Sequence, residues 1–152
     1  MLPQGSGTSV DPWRLQVPSR TSTFFAHRNL GSDPPLLVCR AGALESAYLL
    51  RCIYDLHEWL QRMNAWVPLG IADERSVPQP DSVEAWARSP TNPVNGWYGT
   101  RPGLRGRFSM YVPPLLEHLG LIELEHNLVN NRCRSRSTES QVPAPLKPLA
   151  FG

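Results

Sequence analysis

Ala43 to Ala65 reads ALESAYLLRCIYDLHEWLQRMNA, and the fold depends on how this stretch is read. Leu49, Ile53, Leu56, Leu60 and Met63 recur at steps of three and four, and Cys52 and Trp59 widen the stripe. Arg51, Asp55, Glu58 and Arg62 fall largely off it. Two of their pairings, Arg51/Asp55 and Glu58/Arg62, are four apart and add small electrostatic support. The periodicity predicts one amphipathic helix of about six turns over 43–65. Its apolar face is expected to form the spine of the core; a short coiled-coil seam is the alternative.

Working outward, residues 23–40 contain TFFAH and PPLLVCR, two short apolar runs bounded by turn residues and expected to be brief strands. Pro34-Pro35 fixes an extended entry into the second. Residues 1–22 are rich in Gly, Ser, Thr and Pro and are expected to be flexible or extended. On the other side, VPLGIADERSVPQP at 67–80 is a connector broken by three prolines. Asp81 or Ser82 can cap a short helix, SVEAWARS, with Val83, Trp86 and Ala87 inward. A Gly- and Pro-dense loop of some eighteen residues follows, and loops this long inside compact domains are usually functional or disordered. Pro113-Pro114 suits the first turn of a helix, Gly120 its stop, and the alternation from Leu121 to His126 a strand. RCRSRS either returns as a weak partner strand or begins the tail. The expected class is a helix-rich α+β domain over 23–136, with a mobile Pro-rich tail at 137–152.

Composition excludes several functions. The 152 residues suffice for one domain with a real core. Net charge is +2, so the chain is no polycation. Basic character comes from fourteen Arg and one Lys, which suits flat bidentate partners such as phosphate and also the codon bias of a GC-rich genome. Residues 41–100 carry four Arg against seven acids, whereas 101–136 carry six Arg against three, a local footprint for an anionic partner. Cys39, Cys52 and Cys133 are odd in number and lack CxxC spacing, so neither a disulfide framework nor a zinc site is expected. No secretory signal and no apolar run long enough for a membrane is present in the sequence; the expected location is the cytoplasm. His27, His57, His118 and His126 are scattered, and His57-Glu58 lacks the second His of HExxH. With no GxSxG, Walker or GxGxxG pattern, no enzyme activity, cofactor or metal is expected.

The segment Leu115–Ile122, LLEHLGLI, followed by ELEHNLVNNRCRSRS, resembles the end of a winged helix-turn-helix domain over about thirty residues. In that family a recognition helix ends in a leucine-rich turn and a glycine, and a strand leads into a basic wing. The resemblance implies a small winged-helix-like C-terminal unit. By position it places Arg107, Ser109 and Tyr111 at the start of the recognition helix, facing DNA. It places Arg132, Arg134 and Arg136 on the wing, at phosphates.

The loop end NGWYGTRPGLRGRF, Asn95–Phe108, interleaves Arg101, Arg105 and Arg107 with Trp97, Tyr98 and Phe108. That mixture suits phosphate contacts with base stacking. It equally suits a tight turn whose aromatics pack inward while its glycines adopt positive φ. Two functions follow. One is a small DNA- or RNA-binding protein, a regulator or a subunit of a larger nucleoprotein assembly, using Arg101, Arg105, Arg107, Trp97 and Tyr98. The other is a protein–protein adaptor or inhibitor of phage or plasmid type, with the same loop as its interface.

Overall fold

A computed structural model describes residues 5–136. Strands β1 (Trp13–Gln16), β2 (Thr23–Asn29), β3 (Leu36–Ala41) and β4 (Leu44–Leu49) form an antiparallel meander in that order. Helix α1 (Cys52–Met63), strand β5 (Val67–Pro68) and short helix α2 (Val83–Trp86) follow. Helix α3 (Phe108–His118) then leads into β6 (Ile122–Leu124) and β7 (Arg132–Ser135). These last strands form a second antiparallel sheet, ordered β5-β7-β6. Among the described residues 20% are helical and 27% lie in strands, so the helix-rich class does not hold.

The reading of 43–65 as one helix is corrected at Leu50–Arg51. Leu44–Leu49 is a strand that pairs with β3, Leu37 opposite Tyr48 and Cys39 opposite Ser46. LESAYL alternates as well as it spirals, and the preceding residues choose for it. Ala41 pairs with Leu44 across Gly42-Ala43, and Gly42 has φ 61°, the glycine-first pattern of a two-residue hairpin. The hairpin sets Leu44–Leu49 beside β3, so the helix cannot include it. The helix proper buries Cys52, Asp55, Leu56 and Leu60, while Met63 is exposed. It stops at Asn64, whose φ is 50° and whose N–H donates to Leu60 O.

Two further segments differ from expectation. Within the N-terminal stretch expected to be flexible or extended and set outside the domain at 23–136, Trp13–Gln16 is an extended strand that pairs with Thr23–Ala26, and Trp13 and Leu15 join the core. Pro113 and Pro114 lie at the sixth and seventh positions of α3 rather than in its first turn. They deprive the Ser109 and Met110 carbonyls of helical donors. The helix starts five residues before them because Glu84, from α2, caps its N-terminus. The brief strands at 23–40, the Ser82 cap and the strand after Gly120 lie where the sequence puts them: Ser82 Oγ accepts from Ala85 N at 3.1 Å. The tail at 137–152 lies outside the described residues.

Aromatic rings bind the layers together. Trp59 of α1 stacks on Trp86 of α2 at 5.1 Å, and Trp86 on Tyr98 at 5.2 Å. Tyr98 leads to Phe108 of α3 at 5.6 Å, and Phe108 to Tyr48 of β4 at 5.5 Å. Such pairs add about 0.5–1.5 kcal/mol each beyond the area they bury. No described helix is long and apolar enough to cross a membrane.

Candidate functional site

The loop 89–107 is built as a strap. Asn92 organises its first half: its amide nitrogen donates to Trp86 O (2.7 Å) and Gly96 O (2.8 Å), and its oxygen accepts from Val94 N and Gly96 N. The chain then runs along the free edge of β4. Leu49 N donates to Tyr98 O at 2.9 Å and Thr100 N to Ala47 O at 2.8 Å, with Tyr48 and Gly99 bridged. A sheet edge that would otherwise offer unpaired amides is thereby covered. Gly99 is needed here because a side chain would meet the Arg105 backbone.

The aromatics and arginines of the strap face inward or toward acids. Tyr98 is fully buried, and its hydroxyl donates to Asp55 Oδ2 at 2.8 Å. Burial, then that carboxylate, push its phenol well above the usual range. Trp97 is half-buried, with the guanidinium carbons of Arg88 and Arg105 over its ring at 4.4 and 4.5 Å. Arg101 pairs with Glu45 and Arg105 with Glu74, both at 3.0 Å. Glu74 also accepts from Gly103 N and Arg105 N, and the hydrogen bonds from Arg105 bring its carboxyl down to about 2. Arg107 is exposed; it has φ 59° and its N–H donates to Ala72 O.

The other two residues placed at the start of a recognition helix, Ser109 and Tyr111, are in the core. Ser109 is fully buried, and Tyr111 nearly so, edge-on to Phe24 at 4.9 Å. Ser109 Oγ donates to Glu84 Oε1 at 2.7 Å, and Glu84 also receives Ser109 N, Phe108 N and Arg88. On the hairpin, Arg132 pairs with Glu125 (2.6 Å) and Arg134 with Glu123 (2.8 Å), and both lie over Trp66. Arg136 is exposed, its N–H on Leu121 O. The expected residues therefore lie in two separate places, strap and hairpin. Four of the six expected arginines already hold carboxylates.

What the sequence did not single out is an open groove of about 630 Å³. One wall is the connector, with Ile71, Val77 and Pro78; the opposite wall is the β6–β7 hairpin tip, with Leu128 and Val129; Met110 of α3 and Pro18 also line it. Val77 is 94% exposed, Leu128 77% and Val129 68%. Apolar side chains this exposed therefore border one concavity. The walls are held from behind. Arg88 donates to Ala72 O, Asp73 O and Ser76 O, fixing the connector. Asn131 clamps the hairpin tip by accepting from Asn127 N at 2.6 Å and donating to Asn127 O. His126 ties the hairpin to Pro18 O (2.8 Å) and to Glu117 (2.6 Å). The only signal in the sequence was NLVNN, an apolar pair enclosed by turn-forming asparagines.

Among the described residues no three His, Cys, Asp or Glu side chains are grouped so as to hold a metal ion. Cys39, Cys52 and Cys133 are buried free thiols, all pushed up by burial. No curated protein and no solved structure matches the chain. Residues 5–136 match DUF6855, a family of unknown function, and the chain belongs to that family.

Proposed function

We infer that this protein is a non-enzymatic cytoplasmic adaptor that takes up an apolar segment of a partner protein in the groove between connector and hairpin. The observation that carries this reading is the exposure of Val77, Leu128 and Val129 around one groove. Burying three such side chains against a partner contributes about 1.5–3 kcal/mol each before ordering costs. The ties of Arg88, Asn131 and His126 support a preformed groove, which lowers those costs. The inward Tyr98 and the paired Arg101 and Arg105 support moving the interface from the strap to this groove.

The test is site-specific photo-crosslinking in cells, with a photoreactive residue replacing Leu128 or Val77. Leu30, in the β2–β3 loop and also exposed, is the control position. Crosslinks to one discrete protein from 128 and 77, and not from 30, are expected. Equal products from all three positions, or none, would refute the reading.

A further inference from the structure

We propose that the face of the four-stranded sheet turned away from the core is a platform for single-stranded nucleic acid, centred on Phe25. Strand register, invisible in the sequence, creates it. Arg14 pairs with Phe25, Phe25 with Arg40, and Arg40 with Glu45, so the four lie in one row across β1 to β4. The neighbours Phe24 and Ala26 point into the core and are buried, whereas Phe25 is 37% exposed. Arg14 and Arg40 are exposed, and among the described residues neither forms an ion pair. Glu45, the acid nearest Arg40 in the row, is engaged by Arg101 at 3.0 Å. The row beside it holds exposed Gln16 opposite exposed Thr23, and the turn joining those strands carries exposed Arg20. On the other side Val38 and Ala47 are buried, so the open area is the β1–β2 end of the sheet.

The chemistry of this row selects its occupant. Its centre offers a partly exposed aromatic ring, and the two guanidinium groups, without an ion pair among the described residues, flank it one strand to each side, about 10 Å apart at the usual strand spacing. A base can stack on the ring while phosphates on either side meet the arginines. Duplex bases are already stacked and present no free face, so the partner is a single strand. An acidic polypeptide would satisfy the arginines but leave the ring unused. This surface is separate from the groove, and the two assignments stand or fall independently.

Fluorescence anisotropy of labelled dT and U oligonucleotides of about 16 nucleotides, the upper end of a one-platform site, tests the proposal with the full chain. A duplex of equal length and a poly-glutamate peptide serve as competitors. Single strands should bind saturably, and unlabelled single strand should displace them more strongly than either competitor does. Phe25→Leu keeps an apolar side chain and removes the ring; it should weaken binding about five-fold or more, and Phe25→Tyr should restore it. Arg14→Gln/Arg40→Gln should reduce the slope of log K against log salt by about 1.4, at 0.7 per phosphate contact. Leu128→Ser/Val129→Ser should bind as wild type. No binding at low salt would overturn the proposal. So would stronger competition by duplex or peptide, an unchanged Phe25→Leu affinity, an unchanged salt slope, or loss of binding in the groove variant.

Discussion

Glu84→Gln should be among the most destabilising single-atom changes in this protein. The carboxylate is fully buried and receives four donors: Arg88 at 2.8 Å, Ser109 Oγ at 2.7 Å, Ser109 N at 3.0 Å and Phe108 N at 3.3 Å. It neutralises a guanidinium that is itself only 11% exposed, and it caps α3, whose own cap residue supplies no side-chain bond. In the glutamine variant one oxygen can still serve Ser109. The amide nitrogen then faces Arg88 and Phe108 N, donor against donor. Removing one partner of a buried pair costs about 3–5 kcal/mol. Domains of this kind hold about 5–15 kcal/mol in total. Ser109→Ala removes one bond to a charged group, about 1.5–3 kcal/mol, and leaves the ion pair intact. Urea unfolding followed by tryptophan fluorescence measures both, since Trp86 is part of α2 itself. A cost below about 1 kcal/mol for Glu84→Gln, or a larger cost for Ser109→Ala, would refute the claim that this carboxylate joins α2 to α3.

Other consequences are as direct. Tyr98→Phe should cost about 1.5–3 kcal/mol in the same assay, because it removes a buried hydrogen bond to Asp55 without changing shape. Gly106→Ala should destabilise by about 1–3 kcal/mol, since its Cβ would run into the Asp73 and Glu74 backbone; it should lower the melting temperature where Gly103→Ala, with open space around it, loses only through its φ of 86°. Glu74 has its folded-state carboxyl lowered from 4.5 to about 2, so its contribution is complete above 4.5 and fades as pH falls through about 2. Acid titration of Glu74→Gln should show a shallower loss of stability in that window than wild type.

Several local decisions were legible in the residues alone. Ser82 reads as a cap and is one, the run TFFAH reads as a strand and is one, and Gly120 marks a turn after α3 with φ 80°. These are choices that a few neighbouring residues make for themselves. The division of 43–65 was not legible. LESAYL carries both a helical and an alternating pattern, and pairing with β3, a contact outside the stretch, chooses between them. The orientation of the strap was not legible for a similar reason. Trp97 and Tyr98 look the same in sequence whether they face solvent or core, and it is Asp55, over forty residues away, that draws the Tyr98 hydroxyl inward. The arginines drew attention as free cations because their acids are distant in sequence: Glu45 for Arg101 and Glu74 for Arg105. The groove and the Arg14–Phe25–Arg40 row arise from tertiary placement and register, which no local pattern encodes.

Strap residues 98–100 are bonded to the edge of β4, whereas the hairpin tip exposes Leu128 and Val129, the side chains the proposed partner would cover, and native-state hydrogen exchange by NMR measures that division. The Leu49 and Thr100 amides, bonded between β4 and the strap, should exchange only through global unfolding. The Leu128 and Val129 amides should exchange near the rate of free peptide, leaving their side chains available to a partner. Fast exchange at Leu49 and Thr100 together with protection at Leu128 and Val129 would contradict the account, making the strap the mobile surface and the hairpin tip part of the core.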